Sequence, residues 1–337
     1  MKIQFIPSGN ADAIHIRLHE KEGKHRNICI DSGYRKRYKA RLKKALSSIT
    51  ESGEKIDLWI ITHIDSDHIS GILAFFEDTD FPTDFVNEFW FNPSMATMPD
   101  DSEKISVQQG IKLRDYLIGQ GKCPDQRFTS DLPSINSSGA KIVILSPDES
   151  KLRKALSSWK EEEMKAKSAK PIAGVFDYDV PIEDLMKKPF KEDNGVWNGS
   201  SIAFLFEAQD KRILFLGDSH PSVVAESLRK KIKCSESNPL KLDLVKVSHH
   251  GSAGNTSPEL LHLIDCSHFT FCAYGGGFPA KETLVRIAAS RLGKSEPTVF
   301  LFNDETPRHK DIFNNEPHAA KTLNFCIEHL PDGFYEL

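Results

Sequence analysis

The sequence predicts an α/β fold whose strands and helices recur in two halves, and three observations carry that reading. Short apolar runs at 56–61, 141–147 and 212–216 have strand length and end in polar turns. Helical patterns at 104–117, 221–231 and 281–290 fall between such runs. Hydrophobic residues make up 39 % of the 337, enough for a sizeable core in one domain spanning 1–337.

Taken in order, 3–6, 13–18 and 27–30 are predicted strands of an opening β-meander, separated by the turn Ser8-Gly9-Asn10-Ala11-Asp12 and a charged turn at 20–26. At 35–44, seven of ten residues are Lys or Arg, and this basic run passes into a helical pattern at Ala45 and Leu46. The strand 56–61 leads through a polar turn to an apolar helix face at 69–76. A strand at 85–91, an amphipathic helix at 104–117 and a strand at 141–147 close a first half at about 1–147. From about 148 to 193 Lys and Glu crowd a helical 151–167 and a proline-broken, apolar-poor stretch follows, so an insertion or lid is expected there. The second half, about 194–337, opens with a hairpin of 197–206 and 212–218 around Gln209-Asp210-Lys211. A helix at 221–231, a strand from 242 and strands 268–274 and 298–302 around a helix at 281–290 complete it.

Composition narrows the function. A net charge of −4 provides no global basic field, so any contact with nucleic acid must come from a local patch. Six cysteines (Cys29, Cys123, Cys234, Cys266, Cys272 and Cys326) are scattered without C-x-x-C spacing, which points to reduced thiols. The chain opens directly on a strand pattern and has no apolar run of spanning length, so a cytoplasmic protein with no membrane partner is expected.

The most informative stretch is Thr62-His63-Ile64-Asp65-Ser66-Asp67-His68-Ile69-Ser70-Gly71, which sets four metal-binding side chains within six residues. On a strand-to-helix turn, His63 and Asp65 point one way, while Asp67 and His68 open the helix and turn toward a second point. That geometry suits two metal ions. A polar turn in which Asp67 merely caps the helix would need one such residue, not four. Downstream lie Asn198-Gly199-Ser200-Ser201, Gly217-Asp218 at a strand end, and His249-His250-Gly251-Ser252 after another strand.

The pattern H-x-D-x-D-H followed by Gly71 resembles the H-x-[HD]-x-D-H signature of the metallo-β-lactamase-fold hydrolases. It looks like the competence-protein (DNA-uptake) branch, where the second histidine is an aspartate. The N-x-x-S strand at Asn198, the Gly217-Asp218 pair and the H-H-G-S motif follow in that branch's order. So do Gly9-Asn10-Ala11-Asp12, with alanine for the branch's second glycine, and Ile30-Asp31-Ser32-Gly33. The resemblance implies a four-layer αββα metallo-β-lactamase sandwich and a dinuclear site. His63 and Asp65 would hold one ion, Asp67, His68 and His249 the other, and Asp218 would bridge them. Asp31 and Asn198 would support the site. Asp67 and His250 are the expected catalytic residues, His250 by protonating the leaving oxygen or orienting the substrate. The basic run would begin beside the metal cleft, which makes Arg35, Arg37, Lys39 and Arg41 candidate phosphate contacts; the other reading is a solvated helix face.

Besides Ala11, the sequence departs from the family in two places. No histidine lies between His68 and His220, so the third histidine that many of these enzymes place on the first ion is missing, and Asn198 is its nearest positional substitute. Gly277-Phe278-Pro279 stands where the branch tends to carry Gly-His-Pro. Fewer imidazoles and more carboxylates tilt the expected pair of divalent ions from zinc alone toward zinc or manganese. The expected activity is hydrolysis of phosphodiester bonds, with nucleic acid as the favoured substrate. Two cations would lower the pKa of a shared, bridging water and screen the charge developing on phosphorus. The alternatives are a small-molecule phosphoester, cyclic nucleotide or lactone-type ester hydrolase, and a weakly catalytic metal-binding module.

Overall fold

The central strands of the two main sheets are apolar on both faces because there each sheet is covered on both sides, while strands toward the sheet edges alternate apolar and polar residues. The structure, a computed structural model, describes residues 1–20, 23–94, 105–163 and 176–337. The strands are β1 (Lys2–Phe5), β2 (Ala13–His19), β3 (His25–Asp31), β4 (Ile56–Ile60), β5 (Val86–Trp90), β6 (Ile135–Ser137), β7 (Ala140–Ser146), β8 (Ala203–Ala208), β9 (Lys211–Phe215), β10 (Leu240–Lys241), β11 (Leu244–Lys246), β12 (Ile264–Asp265), β13 (His268–Phe271), β14 (Thr298–Phe302), β15 (Phe325–His329) and β16 (Phe334–Glu336). The first sheet has the order β16-β1-β2-β3-β4-β5 and the second β15-β14-β13-β11-β9-β8-β7-β6, with β10 and β12 a separate parallel pair.

The helices that concern the site are α1 (Leu42–Glu51), α2 (Ser66–Phe76), α3 (Ile105–Gly119), α4 (Glu149–Glu163), α5 (Ile182–Lys187), α6 (Val196–Gly199), α7 (Pro221–Ser227), α8 (Pro258–His262) and α9 (Lys281–Ser290). Side chains alternate between two environments along each strand. Leu58 and Ile60 of β4 and Ile213 and Phe215 of β9 fill the space between the sheets. Trp59 faces the other way, into a layer with Leu46, Ile72 and Leu117 of α1, α2 and α3, and Leu214 faces Val224, Leu260 and Leu284 of α7, α8 and α9. Helix layer, sheet, sheet, helix layer is the αββα sandwich. Each such Leu, Ile or Phe contributes roughly 1.5–3 kcal/mol on burial, so both faces of both sheets hold the fold together.

Three expectations change. The strand at 141–147 does not close a first half: β6 and β7 join the second sheet, β7 pairing antiparallel with β8, so the sheets do not divide the chain at 147. Residues 197–199 are not strand but part of α6, so the hairpin begins at Ala203. The basic run is not a continuous helix. Arg35–Arg37 form one 3-10 turn, and α1 starts at Leu42.

The stretch 148–193 packs onto the body wherever it is described. Leu152, Ala155 and Trp159 of α4 are buried, and Trp159 lies so close over Gly110 of α3 that a Cβ there would meet its ring at 2.6 Å. Ile182 and Leu185 of α5 join the layer of α9. Residues 164–175 of the expected insertion or lid lie outside the described residues. All six cysteines are free. Among the described residues no helix is long and apolar enough to cross a membrane.

Candidate metal centre

The polar turn after β4 is held by Asp31, the last residue of β3, whose φ of +53° turns its side chain across the strand ends. Its carboxylate accepts hydrogen bonds from Thr62 N at 2.8 Å, Thr62 Oγ1 at 2.7 Å and His68 Nδ1 at 2.7 Å. Since Thr62 Oγ1 spends its proton on Asp31, it accepts from His63 Nδ1 at 3.1 Å. Both rings therefore carry their proton on Nδ1 and present Nε2 to one space. Helix α2 then starts with Asp65 in the capping position, yet no side-chain cap bond forms, and Asp67 lies in the first turn. The capping reading of this turn fails; its carboxylates are turned elsewhere. Gly71 lets the helix approach the chain after β3, because a Cβ there would stand 2.0 Å from Ser32 O.

The second sheet supplies the facing groups. Gly217, at φ +49°, ends the strand extension after β9, and Asp218 N donates to Ser201 Oγ at 3.0 Å. Asp218 Oδ2 then stands 3.3 Å from His68 Nε2, 3.8 Å from His63 Nε2 and 3.8 Å from His249 Nε2. It is the one carboxylate that all three rings face. Beyond β11, His249 and His250 have φ of +47° and +52°, a left-handed pair that costs energy in residues with a Cβ.

That backbone turns the two rings apart, their centroids 5.9 Å from each other and their planes 68° apart. His250 donates from Nδ1 to Cys272 O at 3.0 Å, and its Nε2 lies 3.0 Å from Asp67 Oδ2. Asp67, His68, Asp218 and His250 offer ligand atoms that all lie within 4.8 Å of one another. The structure thus brings His250, where His249 was expected, beside Asp67 and His68. His249 is not part of that group; its Nε2 faces Asp218 Oδ2 at 3.8 Å, and His63 Nε2 lies 3.5 Å from Asp65 Oδ2.

Two residues that sequence reasoning did not single out hold His249. Asn255 is fixed by donating Nδ2 to Asp193 Oδ2, Asp218 O and Ser219 O, so its Oδ1 accepts from His249 Nδ1 at 3.1 Å and leaves Nε2 free. Asp193 also accepts from Asn198 Nδ2 at 2.6 Å. Asn198 Nδ2 also lies 3.3 Å from His249 Nδ1, so it adjoins that ring both directly and through Asp193. Asp193 falls in the stretch expected as an insertion, and no local pattern marks it.

Charge follows from burial and neighbours. In His68, burial alone would lower the pKa, but the carboxylates of Asp218, Asp31 and Asp67 raise it well above the ordinary value. In His250, burial likewise pulls down while the bonds to Asp12 and Asp67 push it up to about 9. Asp218 goes the other way: burial would raise it, and the charges of His68 and His249 hold it well below the usual carboxylate range. Behind His250, the buried Lys246 donates to Asp12, whose Oδ1 lies 3.4 Å from His250 Nδ1.

These residues fit divalent metal. His63 Nε2, His68 Nε2 and Asp218 Oδ1 are buried without a hydrogen-bond partner. Such atoms normally find one, and each left alone costs about 1–3 kcal/mol. Three around one space, all metal-ligating types, are what bound cations would satisfy.

The basic run begins next to this centre. The phenol of Tyr34 is pushed up to about 12 by burial and by the charges of Asp67, Asp218 and Asp65. Of the four expected phosphate contacts, Arg35 is engaged with both oxygens of Glu77. Arg37, Lys39 and Arg41 make no ion pair among the described residues.

Imidazoles and carboxylates gathered where two sheets of an αββα sandwich meet define a metal-binding protein of the hydrolase-bearing type. A family model described as the metallo-beta-lactamase superfamily matches residues 20–275, and the chain belongs to that superfamily, whose members are mostly metal-dependent hydrolases. Among solved structures it is similar to the metallo-beta-lactamase fold protein YhfI from Bacillus subtilis, at 10 % identity and TM-score 0.46 over 99 % of both chains. It is also similar to zinc-bound PqqB from Methylobacterium extorquens, at 13 % identity and TM-score 0.44 over 100 % of both. Human tRNase Z, short form, matches 80 % of this chain and 91 % of its own, at 13 % identity and TM-score 0.33. Among curated proteins no sequence matches.

Proposed function

We propose that this protein is a dinuclear metal-dependent phosphodiesterase acting on nucleic acid. The observation that carries the reading is the convergence of three unpartnered buried ligand atoms, on His63, His68 and Asp218, with Asp65 beside His63, His249 facing Asp218, and Asp67 beside His250. His63, Asp65 and His249 would hold one ion, Asp67, His68 and His250 the second, and Asp218 would lie between them. His249 then supplies the imidazole that the gap between His68 and His220 leaves wanting. With three carboxylates beside four imidazoles, the set suits zinc or manganese.

A pair of divalent ions supplies an activated water and neutralises charge developing on a phosphoryl group. The chain's own residues orient the donors. Asp31 and Thr62 hold His68 and His63 in one tautomer, Asn255 does so for His249, and Cys272 O for His250. His250 groups with Asp67, His68 and Asp218 within ligand distance of one another, and with Nδ1 held by Cys272 O its Nε2 is the nitrogen turned to them, which favours a ligand over the proton donor expected from its position in the motif. The phosphodiester and nucleic-acid part of the reading rests on the H-x-D-x-D-H, Asn198, Gly217-Asp218 and H-H-G-S series, which resembles the DNA-uptake branch, and on the basic run beside the centre.

The test is metal analysis of the purified protein together with turnover of single-stranded DNA, duplex DNA and bis(p-nitrophenyl) phosphate. Two equivalents of metal and cleavage of DNA support the reading. Cleavage of the small diester alone moves the substrate to small phosphoesters, and metal without turnover leaves a binding module.

A further inference from the structure

The basic run splits into a neutralised side and a free side. Arg35 is bound by Glu77, and Lys43 by Asp78 at 2.7 Å and Asp80 at 2.5 Å, so two of the seven cations are spent on acids carried by the turn after α2. Lys36, Arg37, Lys39, Arg41 and Lys44 make no ion pair among the described residues. Lys36 lies over the ring of Tyr34 at 5.0 Å, beside the metal centre.

Arg41 and Lys44 then line a groove of 390 Å³ on the outer face of the first sheet, together with Lys2 and Arg17. Phe334 of β16 closes it, 41 % exposed, with the Lys2 ammonium 4.4 Å from its ring. The acids here are Asp332 on the rim, Glu336 across from Lys2 in register and Glu54, which binds Arg17. Each end of the free side thus carries an aromatic ring topped by an ammonium, with unpaired cations between. The groove also reaches Ile6 and Pro7, from which the chain runs on to Asp12 at the metal centre.

We propose that Lys36, Arg37, Arg41, Lys44 and Lys2, with Tyr34 and Phe334, form a track for single-stranded nucleic acid leading from the metal centre over the outer face of the first sheet. The proposal rests on the nucleic-acid reading of the site. Cations follow a phosphate backbone, and the exposed ring of Phe334, with the half-buried ring of Tyr34 at the other end, offers a surface to the faces of unpaired bases, which a duplex keeps stacked.

The experiment measures binding of a fluorescent oligothymidylate across salt concentrations in the metal-loaded, catalytically silent protein, with inorganic polyphosphate as a competitor that lacks bases. Arg37→Gln/Arg41→Gln/Lys44→Gln should flatten the slope of log affinity against log salt by about 2, near 0.7 for each lost contact. Arg35→Gln/Lys43→Gln, from the neutralised side, should leave the slope alone. Phe334→Ala, at an exposed position, should weaken the oligonucleotide about tenfold and polyphosphate not at all. Equal slopes in the two charge variants, or equal loss of both ligands on removing Phe334, would overturn the track. Should the wild type still cleave DNA in that case, the nucleic-acid reading survives; should it turn over only the small diester, both fall together.

Discussion

Asp31 accepts a 2.7 Å hydrogen bond from His68 Nδ1, and this leaves His68 Nε2 as the nitrogen facing Asp218. The contact joins the end of β3 to the first turn of α2, 37 residues apart.

Asp31→Asn keeps a residue that tolerates the left-handed backbone but sets an amide donor against a ring or hydroxyl donor. We expect metal affinity to fall about 10- to 100-fold with the fold intact, measured by competition with a chromogenic chelator. Unchanged affinity would mean that the turn alone orients His68.

Asp67→Ala together with His68→Ala should abolish hydrolysis, by roughly a thousand-fold or more, because one side of the metal centre is lost. Circular dichroism should show a folded chain. Wild-type turnover in this variant would end the dinuclear reading.

The buried pair of Lys246 and Asp12 supports His250 from behind. Lys246→Met alone strands a carboxylate in the interior and should cost about 3–5 kcal/mol in urea unfolding. Adding Asp12→Asn should return much of that loss. A double variant no more stable than Lys246→Met would show that the ion pair is not what the single substitution breaks.

Without metal, His250 holds its proton up to about pH 9 through Asp12 and Asp67, against the pull of burial. A histidine raised in the folded state adds stability that is fully present below its free value near 6.5 and is lost as pH climbs through the folded value. Metal-free protein should therefore lose stability between pH 6.5 and 9, on the order of 3 kcal/mol, with a falling Tm over the same interval. The stabilisation that added zinc or manganese provides should grow over the same interval, since the cation takes the place of that proton. Thermal unfolding at three pH values with and without metal decides it; a flat metal-free profile would contradict the assignment.

Local chemistry made part of this centre legible in the sequence. Thr62 to Gly71 follows a strand of five apolar positions, so the turn and its ligand types could be read directly, and Gly217-Asp218 and His249-His250 announce themselves at strand ends. Which of the two adjacent histidines joins Asp67 could not be read, because it depends on left-handed backbone at two residues with a Cβ, which no propensity favours. Asp193 and Asn255 were missed because their role exists only once distant loops meet; Asp193 N donates to Gly254 O across sixty residues of chain. The sheet that β7 joins is likewise a matter of pairing partners, since a buried strand looks the same in either sheet.

The candidate ligand side chains come from facing edges of the sandwich, His63, Asp65, Asp67 and His68 from the first sheet and Asp218, His249 and His250 from the second. The spacing between Asp67 and His250 is therefore also a gauge of how one sheet rests on the other. A substitution deep between the sheets, at Ile144 or Phe204 for example, that slid them by a fraction of an ångström would reach activity before it reached stability. Turnover, on the proposed reading, would then be a sensitive report on core packing far from the candidate metal centre.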